Sequence, residues 1–220
     1  MNDDEFDYSV FPAPERTQPC QLYLISPQEV GGEFPARLEQ ALSGGAVAAF
    51  QFRVKGLNEH EAARLAAPLQ EICAAHDVAF IVNDSLSLAK RLDADGLHLG
   101  QGDGDVREAR AELGPSKMIG VTCHDSRHLA MEAGEAGADY VAFGAFYPSE
   151  TKASLHKPPV EILSWWSGLF ELPCVAIGGV DADNLKPLVA AGADFLAVSN
   201  AVWGSDDPAK AVRALVDAMG

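Results

Sequence analysis

Basic residues are scarce in this chain. Sixteen lysines and arginines stand against 32 aspartates and glutamates among 220 residues, a formal net charge of −16. An acidic surface repels phosphate backbones and anionic headgroups, so neither nucleic acid nor a membrane surface is expected as a partner. An anionic small molecule would have to be met by cations gathered locally. Cysteine is sparse too. Cys20, Cys73, Cys123 and Cys174 are far apart, with no CxxC pair and no zinc spacing. Three lie in or beside apolar runs, the habit of buried reduced thiols. No apolar run approaches the ~18 residues of a membrane span, and no secretory h-region is present, so a soluble, cytoplasmic protein is expected. No GxGxxG follows the first apolar run, which disfavours a dinucleotide-binding sheet.

What the chain does contain is enough apolar residue (48%) for one sizeable core. Residues 1–18 are acidic and proline-bearing and read as a flexible tail, with residues 19–220 as the catalytic domain. Phe6, Tyr8, Val10 and Phe11 leave a docked arm open. From Cys20 onward, apolar runs of strand length alternate with helical patterns. Strands are expected at 20–25, 47–53, 79–83, 96–99, 117–121, 139–143, 174–177 and 195–198. Helices are expected near 33–43, 58–76, 85–92, 104–113, 125–136, 159–168, 181–191 and 206–219. A small signature repeats: Ala94-Asp95-Gly96, Ala138-Asp139-Tyr140 and Ala193-Asp194-Phe195 each lead into a strand. Eight βα units in one domain predict a closed (β/α)8 TIM barrel, with an open doubly wound sheet as the competing α/β architecture.

In such a barrel, functional groups gather at the C-terminal ends of the strands. The second strand carries Gln51, Arg53 and Lys55 at spacing two, which places them on one face. They form either the solvated side of a half-exposed strand or the wall of an anion site. Asn83 and Asp84 end the third strand, and Asp103 follows the fourth. Both aspartates are oxygen ligands of the kind Mg²⁺ takes, and both also suit a helix N-cap. Thr122 and His124 end the fifth strand. His124 is an acid/base candidate or a helix-start residue packing its ring; His98, inside an apolar strand, reads as a satisfied core histidine. The longest loop, 144–158, holds Ser149, Thr151 and Lys152, and Lys152 could close over an anion. Gly178-Gly179 ends strand seven, and Ser199-Asn200 ends strand eight. This is either a phosphate site or a tight turn with a helix cap. Two separate anion sites suggest an enzyme that joins a diphosphate ester to a phosphorylated acceptor.

Seven motifs in order resemble the thiamine phosphate synthase (thiamine-phosphate pyrophosphorylase) family. They are Gln51-x-Arg53-x-Lys55; Ile81-Val82-Asn83-Asp84; Asp95 through Asp103 (DGLHLGQxD); Gly120-Val121-Thr122-x-His124; Gly137 through Val141; Pro148 through Lys152; and Ala176 through Val180. The resemblance spans roughly residues 20–203. It implies a transferase that condenses a hydroxymethylpyrimidine diphosphate with hydroxyethylthiazole phosphate, releasing pyrophosphate by a dissociative route. By the family pattern, Gln51, Arg53, Lys55 and Asn83 would hold the pyrimidine diphosphate, with Thr122 also at the substrate. Asp84 and Asp103 would bind Mg²⁺. Lys152 would reach the diphosphate, making Arg53, Lys55 and Lys152 the catalytic cations. Ser149, Thr151, Gly179, Ser199 and Asn200 would form the thiazole-phosphate end. The family usually has Ser at Thr122, Thr at Ser149, Ser at Asn200 and a small residue at Phe195. A related thiazole tautomerase using His124, or a non-catalytic binder of thiamine phosphate, are the competing functions. The partners implied are small molecules, with a homo-oligomer left open.

Overall fold

The computed structural model describes residues 7–11, 18–148 and 156–220. Eight parallel strands close into a barrel in sequence order, with β8 returning to pair with β1. They are β1 Gln21–Ile25, β2 Ala49–Phe52, β3 Ala79–Asn83, β4 Gly96–Leu99, β5 Met118–His124, β6 Tyr140–Gly144, β7 Cys174–Ile177 and β8 Phe195–Val198. The helices are α1 Phe34–Ser43, α2 Glu59–Ala75, α3 Leu86–Arg91, α4 Val106–Leu113, α5 Arg127–Ala136, α6 Glu161–Leu169, α7 Lys186–Ala190, α8 Asn200–Trp203 and α9 Pro208–Met219. The closed circuit rules out the open doubly wound sheet.

Side chains alternate along each strand, and the alternation builds two cores. Outward-facing Phe50, Phe52, Phe80 and Leu24 pack under the helices, where Phe34, Phe50 and Trp203 meet edge-on or tilted. Inward-facing Tyr23, Ile25, Ala49, Ile81, Tyr140, Ala142, Val175 and Ala197 fill the barrel itself. Large residues need small ones opposite. A Cβ at Gly120 would lie 1.9 Å from Cζ of Tyr140, so glycine in mid-strand seats that phenol. All four residues of β2 are buried, Gln51 among them with 3% of its surface exposed. That corrects the half-exposed-strand reading: a barrel strand covered by α1 and α2 has no solvated face. The strand also stops at Phe52, so Arg53 and Lys55 belong to the loop above it.

The repeated Ala-Asp signature is a structural device. Asp95 donates its N–H to the Phe80 carbonyl (3.0 Å) while its carboxylate accepts the Phe80 N–H (2.7 Å). Asp139 grips Ile119 the same way (2.7 and 2.6 Å), and Asp194 grips Cys174 (3.0 and 2.8 Å). Arg110 adds an ion pair to Asp139. Each clamp sits at the N-terminal end of the barrel and ties an odd strand to the next even one. At the β1–β2 step Ala48 donates to the Leu22 carbonyl (2.8 Å), with a methyl group where the others have a carboxylate.

Two helices also differ from the sequence expectation. The helix expected over 181–191 is regular only at Lys186–Ala190, because an Asp181–Asn184 turn occupies its first half. The short α8 was not expected at all. Near the start of the chain, Tyr8–Val10 form a 3-10 turn, and Tyr8 and Phe11 pack on the outer core. The Arg127 guanidinium lies over the rings of Tyr8 (5.9 Å) and Trp165 (5.5 Å), a cation–π arrangement. Cys73, Cys123 and Cys174 are buried. Burial pushes the Cys73 and Cys123 thiols up to about 12, so neither is a nucleophile at neutral pH.

Candidate active site

The C-terminal mouth gathers polar residues from β2, β3, β4 and β5. Ser26, itself buried, sets the first of them. Its Oγ accepts the Arg53 N–H (2.8 Å) and donates to the Arg53 carbonyl (3.2 Å), extending the β1–β2 seam past the strand. Gln28 Nε2 donates to the Lys55 carbonyl (2.8 Å). The backbone under both cations is therefore fixed, although the Lys55 side chain is 61% exposed.

Asp84 stands next to them. Its φ is +66°, its N–H donates to the His98 carbonyl (2.8 Å), and Lys55 Nζ lies 4.0 Å from Oδ2. Among the described residues four non-glycine positions have positive φ. Asp77 and Asp93 occur just past α2 and α3, where chains commonly reverse. Asp84 and His124 occur at strand ends, the kind of local strain that collects at functional sites. The capping explanation for the two aspartates fails. Ser85 Oγ caps α3 by accepting from Leu88 N–H, and the Asp105 carboxylate caps α4 by accepting from Glu108 N–H. Asp84 caps nothing, and Asp103 accepts a local bond from Gly100 N–H (3.0 Å) rather than from a helix N-terminus.

The electrostatics agree with a charged pair in want of a cation. The Asp84 carboxyl is raised from 3.8 to about 6. Burial is the first cause; the Asp103 carboxyl follows, as hydrogen-bond partner and as like charge, while Lys55 and Arg53 pull the other way. Two carboxylates of oxygen-only character suit Mg²⁺. No cluster of three or more His, Cys, Asp or Glu able to hold a metal occurs among the described residues. A cation held by Asp84 and Asp103 would take its other ligands from substrate oxygens and water, as Mg²⁺ commonly does.

Below the mouth, His98 is a satisfied core histidine, as its place in an apolar strand implied. Nδ1 meets Tyr140 Oη at 3.0 Å and Nε2 meets Thr122 Oγ1 at 2.8 Å. Burial lowers it to about 4, against the pull of Asp103, so the ring is neutral at pH 7. Thr122 sits at a bulge between β5 and β6, half-buried toward the C-terminal end of β5. His124 stacks on His156 with ring centroids 4.4 Å apart, and His156 Nδ1 contacts Asp125 Oδ1 at 2.8 Å.

The far side of the mouth is a loop platform. After β6, Phe146 and Tyr147 N–H groups donate to the Ile177 and Gly178 carbonyls (3.1 and 3.0 Å). Ala145 N–H donates to the His156 carbonyl (3.3 Å), which closes the loop at its base. Gly178 and Gly179 have φ of +104° and +62°, and a Cβ at Gly179 would meet the Pro148 carbonyl oxygen at 2.3 Å. These two glycines thus allow the loop to rest against β7. Ser149, Thr151 and Lys152 lie outside the described residues. Ser199 precedes α8 without a side-chain capping bond, and Asn200 is exposed at its first position. Arg37 donates to the Trp203 and Ser205 carbonyls (2.8 and 2.9 Å), and Trp203 Nε1 donates to the Ile25 carbonyl (2.6 Å), so this short helix is anchored to α1 and β1. The structure therefore brings Gln51, Arg53, Lys55, Asn83, Asp84, Asp103 and Thr122 to one side of the mouth, and Gly179, Ser199 and Asn200 to the β7–β8 side. Sequence reasoning missed Ser26, Arg37, Tyr23 and Tyr140. Only the tyrosines left a signal, since a phenol in mid-strand needs a buried partner.

Fold and mouth together define a (β/α)8 barrel whose C-terminal mouth sets carboxylates beside cations. Similarity narrows the class. A family profile described as thiamine monophosphate synthase matches residues 22–202, and the chain belongs to that family of transferases in thiamine biosynthesis. A thiamine-phosphate synthase of Erythrobacter litoralis is 66% identical over 203 residues, covering 90% of this chain and 95% of its own. One of Rhodospirillum centenum is 49% identical over 199 residues, again covering 90% and 95%. The solved thiamine phosphate pyrophosphorylase of Pyrococcus furiosus superposes with a TM-score of 0.81 at 32% identity, covering 90% of this chain and 95% of its own. No helix among the described residues is long and apolar enough to cross a membrane.

Proposed function

We propose that this chain condenses 4-amino-5-hydroxymethyl-2-methylpyrimidine diphosphate with hydroxyethylthiazole phosphate to give thiamine phosphate and pyrophosphate. The observation that carries the reading is the release of Asp84 and Asp103 from capping duty, beside Arg53 and Lys55, in a chain of this family. The bond between the pyrimidine methylene carbon and the diphosphate oxygen breaks, and both electrons leave with pyrophosphate. The thiazole nitrogen lone pair then forms the new C–N bond, so no protein nucleophile is required. Arg53 and Lys55 receive the negative charge that develops on the leaving group. Mg²⁺ held by Asp84 and Asp103 would supply further positive charge at the diphosphate. Gln51, Asn83 and Thr122 orient the pyrimidine half. Lys152 would close over the diphosphate from its loop, and Ser149, Thr151, Gly179, Ser199 and Asn200 would receive the thiazole phosphate. Cytoplasmic work on free small molecules is part of the same proposal.

The test is a two-substrate assay on purified protein, with thiamine phosphate identified by mass and pyrophosphate counted. Product should appear only when both substrates and Mg²⁺ are present, and chelation should abolish it. Isomerisation of the thiazole without condensation would instead select the tautomerase reading, for which the His124–His156 stack is the structural candidate. Binding of thiamine phosphate with no turnover would select the non-catalytic binder.

A further inference from the structure

Five polar side chains inside the barrel form one unbroken hydrogen-bond chain, and its two ends are substrate contacts in the function proposed above. Gln51 Nε2 donates to Tyr23 Oη (3.1 Å). Tyr23 Oη lies 2.9 Å from Tyr140 Oη, Tyr140 Oη 3.0 Å from His98 Nδ1, and His98 Nε2 2.8 Å from Thr122 Oγ1. Gln51, Tyr23, Tyr140 and His98 are each at most 7% exposed, and no buried side-chain nitrogen or oxygen among the described residues lacks a partner.

The protons can be counted along the chain. A phenol has one proton to give, and so does a neutral imidazole. The Tyr23–Tyr140 contact admits either donor and the His98 contacts either tautomer; with Tyr23 accepting from Gln51, the arrangement that gives every buried proton an acceptor sends the Tyr23 proton to Tyr140. Tyr140 then gives its proton to His98 Nδ1. An imidazole that accepts at Nδ1 carries its proton on Nε2, and that proton goes to Thr122 Oγ1. The Thr122 hydroxyl proton is left for the mouth. All links run one way, and turning any one of them turns the rest. Gly120 shows how far the barrel is shaped around this chain, because a Cβ there would stand 2.4 Å from Tyr140 Oη.

We propose that Tyr23, Tyr140 and His98 are positioning residues that act through one another. They hold Gln51 with its amide oxygen as an acceptor and Thr122 with its hydroxyl as a donor, so that a donating group of the substrate is read at one wall and an accepting group at the other. None of the three needs to touch substrate. The polarity of the chain, rather than the presence of any single bond, sets which heterocycle edge fits.

The first measurement needs no turnover, so its failure is separate from failure of the synthase reading. In ¹⁵N NMR of the ligand-free protein at neutral pH, with the signal assigned by its loss in His98→Gln, His98 should show a pyridine-type Nδ1 and a pyrrole-type Nε2. Tyr140→Phe removes the donor to Nδ1 and should shift the ring toward mixed tautomers. A protonated Nδ1 in the wild type, or no change in Tyr140→Phe, overturns the proposal. The second measurement is kinetic. Tyr23→Phe should raise KM for the pyrimidine diphosphate about fivefold, the effect of one neutral hydrogen bond, with kcat changed less. In a Thr122→Val background that rise should shrink to within about twofold, because the two ends report the same chain. Effects that simply multiply in the double variant overturn it.

Discussion

The two ends of this barrel use the same side chain for opposite purposes. At the N-terminal end Asp95, Asp139 and Asp194 each accept a backbone N–H from the preceding strand, and their charge is matched by a fixed donor. At the C-terminal end Asp84 adopts a strained backbone and caps no helix, and burial, with a second carboxylate beside it, raises its pKa to about 6. One set is satisfied by the fold; the other is the pair to which the proposed function assigns a bound cation. An aspartate's surroundings, not its identity, thus divide structure from chemistry.

The contrast can be broken by substitution. The largest effect is expected at the mouth. Asp84→Asn tolerates the left-handed backbone yet removes a charge that would hold the proposed Mg²⁺, and turnover should fall by about 10²–10³ in a pyrophosphate-release assay. A fall of less than about tenfold would put Asp84 with the structural aspartates. Next comes the clamp. Asp139→Ala leaves the Ile119 N–H and the Arg110 guanidinium without their shared acceptor, and urea unfolding should show a loss of about 2–3 kcal/mol. The folded fraction should keep its kcat. The smallest effect sharpens the comparison through pH. The Asp84 carboxyl is raised on folding, so the folded state holds its proton more tightly than the unfolded one. Its ionisation therefore costs stability above about pH 6, and the cost disappears below about pH 4, where both states are protonated. In chelated protein, Asp84→Asn should be more stable than wild type by about 1 kcal/mol at pH 8, after allowance for its partly solvated side chain. The two should be equal near pH 3.5, the unfolded carboxylate range. Chemical denaturation at the two pH values checks the sign.

Much of the barrel was legible because apolar runs bounded by turn residues carry their own limits. The expected strands at 79–83, 96–99, 174–177 and 195–198 coincide with β3, β4, β7 and β8. The expected strand 47–53 was too long because Gln51 and Arg53 share a spacing but not a strand. Helix α8 has four residues, too few to show a period. At the site, residue types and spacing pointed to the mouth, but Asp84 and Ser85 are both good caps. Only the bond from Leu88 N–H says which one caps. The Tyr23–Tyr140 contact joins residues 117 apart, and no local pattern reports that distance.

The clamps also bear on how such a chain assembles. Their partners are only 15, 20 and 20 residues apart, so each can form as soon as one βα unit and the start of its next strand have emerged. Contacts that close over so short a span cost little chain entropy and form early. Joining Gln21 to Phe195 must wait until nearly the whole sequence exists. A barrel organised this way would be stitched in pairs during synthesis, with the β1–β8 seam as the final closure.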